Sequence, residues 1–288
     1  MTMKRTRNIL KWGARAGEND TIIRSPSTKV GFATNVGRVR SVDEDSLLAT
    51  EIQTAFLSQP RTRLLLMVAD GMGGHRRGDV ASKIVVQTVA RTLLPMLTSE
   101  EEVSRAEYCT ALLDAVVGAN QAVFDRAQSS PEYEGMGTTL ALAVVDGRNL
   151  YVSNVGDSRV YLVNKREICQ VTRDHSLVQE MVDRGEITAE EARHHPRKNV
   201  ITMVLGVYGE VTPDVGCLTV EPGDRVLLCC DGLVNHVEDG DIHRVVVETG
   251  DPQRACEILV ALANKDGGKD NISVVLAPIP KEPRKEDK

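Results

Sequence analysis

The chain predicts an α+β fold of two antiparallel sheets with helices packed outside them, and three observations carry that prediction. Apolar or alternating runs of strand length, rich in Val, Leu and Ile, recur through residues 29–70 and again through residues 138–172. Between these groups, over residues 78–128, the apolar period changes to that of helices. Within the second group, the junctions Asp146–Gly147 and Asn164–Lys165 are short enough for two-residue hairpins, which makes the pairing antiparallel.

Taken in order, residues 1–27 are polar and aperiodic and read as a mobile N-terminal extension. One domain is expected over residues 28–280, and residues 281–288 (KEPRKEDK) read as a solvated tail. KVGFATNV, SLLATEIQ and RLLLMVAD supply the first strands. A helix follows from Gly78 to Leu94 with Val80, Ile84, Val85, Thr88, Val89 and Leu93 on one face, ended or kinked at Pro95. A second, from Glu101 to Gln128, points Leu112, Leu113, Val116, Val117, Ala119 and Val123 inward. TTLALAVVD, NLYVSNV, RVYLVN and EICQVT then give strands. A polar excursion from His175 to Asn199 holds two short helices. Strands near Asp214–Val220 and Asp224–Cys230, helices at Asp239–Thr249 and Pro252–Lys265, and a strand at Ile272–Pro278 complete the chain.

Composition narrows the class. Hydrophobic residues make up 41% and aromatics 3%, so the core must be aliphatic. A net charge of −6 argues against nucleic acid as a partner, since phosphate backbones call for a basic stripe. None of the six cysteines forms a CxxC pair, so they read as small buried residues in a reducing cytoplasm. No apolar stretch approaches the ~20 residues of a membrane span, and the N-terminus lacks a hydrophobic signal core. A soluble, monomeric, cytoplasmic protein is expected.

Four aspartates carry the chemistry. LLLMVAD runs an apolar strand into Asp70, VLLCCD does so into Asp231, YVSNVGD ends on Asp157, and GGKD sets Asp270 before ISVVLA. A carboxylate at such a strand end costs roughly several kcal/mol if unpaired. Together with Asp43, Glu44 and Asp45, these groups would repel one another unless cations neutralised them. Oxygen donors suit magnesium or manganese. Two such ions serve phosphoryl chemistry by activating a water, orienting phosphate and offsetting charge during in-line attack. Gly71 and Gly232 are expected to allow tight turns, and a glycine carbonyl can itself reach a cation. No cysteine is followed six residues later by arginine, no DxDx[TV] nucleophile is present, and no GxxxxGK[ST] loop occurs. Direct attack by metal-bound water remains.

Eight motifs in order then carry a resemblance: VGRVRSVDEDS, VADGMGGHRRGDVAS, MGTTLALAVV, VSNVGDSRVYLV, VTRDHS, NVITMVLG, DRVLLCCDGL and GKDNISVVL. Over roughly Lys29 to Ile279 the chain resembles the bacterial branch of the metal-dependent Ser/Thr protein phosphatases, the PPM or type-2C family. The resemblance implies a central β-sandwich with helices on both faces. It also implies hydrolysis of phosphoserine and phosphothreonine in phosphorylated proteins, the substrates of a Ser/Thr kinase. Asp70 matches the aspartate bridging two core Mn²⁺ or Mg²⁺ ions, with the Gly71 carbonyl beside it, and Asp231 and Asp270 match the other direct ligands. Glu44 and Asp45 match the pair holding metal-bound waters, Arg40 the phosphate-gripping arginine, and Asp157 the ligand of a third, weaker ion. Thr172 to Asn199, including Asp174, His175 and Ser176, matches a mobile flap.

Two departures stand out. Asp43 occupies a position that is Asn in many bacterial relatives, and Met72 one that is His in many eukaryotic members. His75 is then the nearest candidate general acid, while His175, His194 and His195 read as solvated side chains. Asp157 could alternatively pair with Arg159 or close a turn. A weakly active phosphatase-like binding module and a small-molecule phosphoesterase are the rival functions.

Overall fold

The computed structural model describes residues 30–57, 59–72 and 77–280. The N-terminal extension, the C-terminal tail and His75 lie outside them. One antiparallel sheet is built from β2 (Ser46–Phe56), β3 (Gln59–Ala69), β6 (Leu140–Asp146), β7 (Asn149–Val155) and β10 (Asp214–Thr219), in the order β10-β7-β6-β3-β2. The other contains β1 (Gly31–Asn35), β8 (Arg159–Val163), β9 (Ile168–Gln170), β11 (Arg225–Cys229) and β12 (Ile272–Pro278), in the order β1-β12-β11-β8-β9. A two-residue ladder joins β4 (Gly71–Met72) to β5 (Gly137–Thr138). Its shortness hid it from the pattern of the sequence.

Strand periodicity explains why the central runs are apolar throughout. Leu64, Leu66 and Val68 of β3 meet Val226, Leu228, Val275 and Ala277 between the sheets. The alternate residues Leu65, Met67 and Ala69 face a helical layer of α1 (Gly78–Thr98) and α2 (Arg105–Gln128). On the opposite side, Leu227, Cys229, Val274 and Leu276 meet α6 (Asp239–Glu248) and α7 (Pro252–Lys265). Both faces of each central strand are therefore covered, so neither face needs polar residues.

Several expectations change in detail. Pro95 does not end α1, which continues to Thr98 because Leu93 and Leu97 on either side of it are fully buried. That packing outweighs the proline's cost of about 3 kcal/mol. The buried stripe of α1 runs through Ser82, Val85, Val89 and Leu93, leaving Val80, Ile84 and Thr88 at its margin. α2 starts four residues later than expected, at a capping box in which Ser104 and Glu107 satisfy each other's backbone N–H groups. Leu113 and Val117 lie on its outer side. Val163 pairs with Ile168, so Asn164–Lys165 belongs to a four-residue loop, whereas Asp146 pairs with Asn149 across the expected tight hairpin. Cys169 is exposed rather than buried. By length and composition, α1 alone among the described helices could cross a membrane, contrary to the sequence expectation. It packs one face on β3 and α2.

Candidate active site

Seven of the expected residues line one cavity of about 200 Å³: Arg40, Glu44, Asp70, Gly71, Asp157, Asp231 and Asp270. They lie beyond the strand ends of both sheets, with Gly71 in the β4 ladder and Asp231 at the start of a helix. Asp70 directly follows β3, Asp157 follows β7, and Asp270 lies two residues before β12. Asp231 does not end a turn; it opens a short helix, α5 (Asp231–Val234), at the mouth of β11. Asp45 does not line the cavity, yet its carboxylate lies within 4.8 Å of ligand atoms on Asp70 and Cys230. Asp43 is turned aside, accepting from the Thr34 hydroxyl at 2.8 Å.

Residues that the sequence did not single out fix these positions. Thr138 Oγ1 donates to the Asp70 carbonyl at 2.8 Å, and Thr139 binds the Asp70 backbone through both its N–H and its hydroxyl. The Asn271 amide donates to the carbonyls of Val36 and Val42 and accepts from Glu44 N–H at 2.9 Å. One buried side chain thus locks the Arg40 loop against the Asp270 loop. Only the place of Thr138 and Thr139 within the MGTT motif, and of Asn271 beside Asp270, could have signalled them. Neither Gly71 nor Gly232 has a positive φ, so turn conformation is not their role. A Cβ on Gly71 would sit 2.4 Å from the Glu44 carbonyl, and one on Gly232 1.9 Å from the Asn271 carbonyl. Both glycines provide clearance where backbones cross.

The electrostatics are one-sided. Burial, then repulsion from Asp45, Asp231 and Asp157, holds the Asp70 carboxyl well above the usual carboxylate range. Asp157 is raised by burial and then Asp231, and Asp231 by burial and then Asp270. Burial is also the main cause that pushes Asp45 up to about 7. Both carboxylate oxygens of Asp45, and Oδ1 of Asp157 and of Asp231, are closed to solvent without a hydrogen-bond partner. Arg40 donates from Nη2 to Asp270 at 2.8 Å and is half exposed on the cavity rim. Orphaned hard oxygens around a polar pit, with a guanidinium at its edge, suit a divalent cation and a phosphate together.

The alternative pairing of Asp157 with Arg159 does not form. Arg159 makes a bidentate pair with Asp174 (3.0 and 2.7 Å) and donates to the Tyr161 hydroxyl. His175 is not solvated but 5% exposed. Its Nδ1 accepts the Gly156 N–H at 3.2 Å and its Nε2 faces Asp214 at 3.1 Å, which pins the turn carrying Asp157. Asp174, His175 and Ser176, the opening of the expected flap, are thus buried in the body of the fold. The rest of that segment forms α3 (Leu177–Asp183) and α4 (Ala189–His194), with His194 exposed and His195 half-buried.

Comparisons with known proteins agree on the class. The family model for protein phosphatase 2C matches residues 50–262, a span that holds Asp70, Asp157 and Asp231 and stops short of Asp270. The serine/threonine phosphatase Stp of Listeria monocytogenes is 37% identical over 85% of this chain and 93% of its own. Protein phosphatase PhpP of Streptococcus pneumoniae is 35% identical over 88% and 98%. Among solved structures, the Stp1 phosphatase of Staphylococcus aureus matches with a TM-score of 0.76 at 34% identity, covering 92% of this chain and all of that one. The catalytic domain of the phosphatase PstP, solved with two manganese ions, gives 0.73 at 34% identity, covering 88% of this chain and 100% of its own. The chain belongs to the protein phosphatase 2C family.

Proposed function

We propose that the chain is a metal-dependent phosphoprotein phosphatase that hydrolyses phosphoserine and phosphothreonine by direct attack of water on phosphorus. The observation that carries this reading is the convergence of Arg40 with a cluster of carboxylates, several of whose oxygens are orphaned, around one small cavity. Asp70, the Gly71 carbonyl, Asp231 and Asp270 would hold two Mn²⁺ or Mg²⁺ ions, and Glu44 and Asp45 would hold water around them. Asp157 would hold a third, weaker ion. Bound there, the ions would lower the pKa of a water and offset charge on the phosphoryl oxygens. Arg40 supplies a planar fork that grips two of those oxygens. The protein's own task is positioning: Thr138, Thr139 and Asn271 hold the loops that carry the ligand oxygens, and the buried strands behind Asp70 and Asp231 anchor them. A single domain over residues 28–280, acting in the cytoplasm on the products of a Ser/Thr kinase, completes the proposal.

A full acidic set favours an enzyme over a binding module, because a module has no need of uncompensated carboxylates. The test is hydrolysis of a phosphopeptide and of a sugar phosphate side by side, with Mn²⁺ or with chelator. Metal-dependent turnover of the peptide alone is expected. Equal turnover of both substrates would move the assignment to a general phosphoesterase, and none on either would remove it.

A further inference from the structure

Beside the candidate catalytic cavity runs a larger recess of about 620 Å³. The two are continuous, since Asp157, Asn199 and Asp231 line both. One wall carries α3 and α4, and the other is formed by α5, the start of α6 and Asp266.

The charge of this recess is lopsided. Seven carboxylates line it against three permanent cations, Arg159, Arg193 and Lys198. Asp157 and Asp231 are the two carboxylates that the proposed metal ions would neutralise. Arg159 is spent on Asp174 at 2.7 Å, while Arg193 reaches Glu238 at a looser 3.6 Å. Along the outer edge, the side chains of Glu190, Glu238 and Asp266 are 78%, 72% and 66% exposed. The other partners there are imidazoles, His194 for Glu190 and His236 for Asp266. The edge therefore presents negative charge to solvent with little of it compensated.

A polypeptide whose phosphorylated residue enters the small cavity must lay its neighbouring residues over the surface continuous with it. On that basis, and resting on the phosphatase reading above, we infer that the acidic recess receives the substrate residues flanking the phosphorylated position and selects Lys or Arg there. An acidic flank would set like charge against Glu190 and Glu238, a juxtaposition that rejects wrong partners more than it strengthens right ones.

The test uses two phosphopeptides that differ only in carrying Lys or Glu beside the phosphoserine, with an aryl phosphate ester, whose good leaving group needs no recognition, alongside and Mn²⁺ throughout. The full-length chain should show a kcat/KM about three- to tenfold higher for the Lys peptide, carried by KM and weakened by added salt. The double variant Glu190→Lys/Glu238→Lys should erase or invert that preference while hydrolysing the ester as before. Glu190→Gln, which leaves the Arg193–Glu238 pair in place, should reduce the preference without inverting it. No preference in the unmodified protein, or one that survives the double reversal, overturns the inference while leaving the phosphatase reading intact. Failure to hydrolyse the ester and both peptides overturns the two together.

Discussion

Two regions of the described residues take carboxylates out of water and treat them in opposite ways. At the end of β6, Asp146 accepts from Arg61 Nε at 2.9 Å, from the Tyr108 hydroxyl at 2.7 Å and from Arg63 Nε at 3.3 Å. Burial alone would raise this carboxyl, but the hydrogen bonds from Arg61 and Tyr108 outweigh it and hold Asp146 below the usual range. In the cavity no cation among the described residues bonds Asp70, Asp157 or Asp231, the Asn235 amide being the donor to Asp231, and all three are raised. Where the fold needs a buried anion for its own cohesion it supplies the cations; where it supplies none, the compensating charge must come from outside. Uncompensated burial is what separates a candidate site from a structural network of the same residue type.

The comparison breaks most visibly at Asp231. Asp231→Asn should cut Mn²⁺-dependent turnover by orders of magnitude while leaving the melting temperature in chelator unchanged or higher, because it relieves a crowded cluster. Near-normal turnover at saturating Mn²⁺ would remove Asp231 from the metal site. Asp146→Ala should do the reverse. It leaves the fully buried Arg63 guanidinium without its counter-ion, bonded to the Leu97 and Ser99 carbonyls, at a cost of about 3–5 kcal/mol, while turnover per folded molecule stays the same. Denaturant melts paired with activity would read both effects.

Asp157 and Asp174 sharpen the contrast at closer range. Because Arg159 is bound by Asp174, Asp157→Ala should lose most turnover and little stability, whereas Asp174→Ala should lose stability by freeing Arg159. A drop in melting temperature for Asp157→Ala equal to that for Asp174→Ala would assign Asp157 to the scaffold.

Much of this was legible in the sequence because strand and helix periods report burial directly. The runs ending in Asp70, Asp157 and Asp231 announced both a strand and a misplaced charge. Side-chain hydrogen bonding was not legible. That Arg159 chooses Asp174 over its near neighbour Asp157, and that His175 turns inward to Gly156, depends on how β8 and the Thr172 loop meet in space. The buried stripe of α1 lies a fraction of a turn from the one its apolar pattern marks, since apolar residues continue around that helix and the pattern alone cannot tell margin from centre. Asn271 escaped notice because one polar residue beside an aspartate has no period at all.

The smallest expected effect follows from Asp45, whose carboxyl is pushed up to about 7, chiefly by burial and then, among neighbouring charges, by Asp43. The folded value lies above the unfolded one, near 3.9, so the folded state binds the proton more tightly. That contribution to stability is fully present below the unfolded value and is lost as pH rises through about 7. Chelator-treated protein should therefore melt several degrees lower at pH 8 than at pH 5.5, at about 2–4 °C for each kcal/mol in a chain of this size. Mn²⁺ should reverse that slope by favouring the ionised cluster, and Asp45→Asn should flatten it in chelator. Asp146 works in the other direction: its lowered value gives stability that is present at neutral pH and lost only as strong acid protonates it. A melting profile in chelator that rose steadily from pH 5.5 to 8 would mean that the cavity carboxylates find compensation within the protein, and the distinction between the two regions would fail.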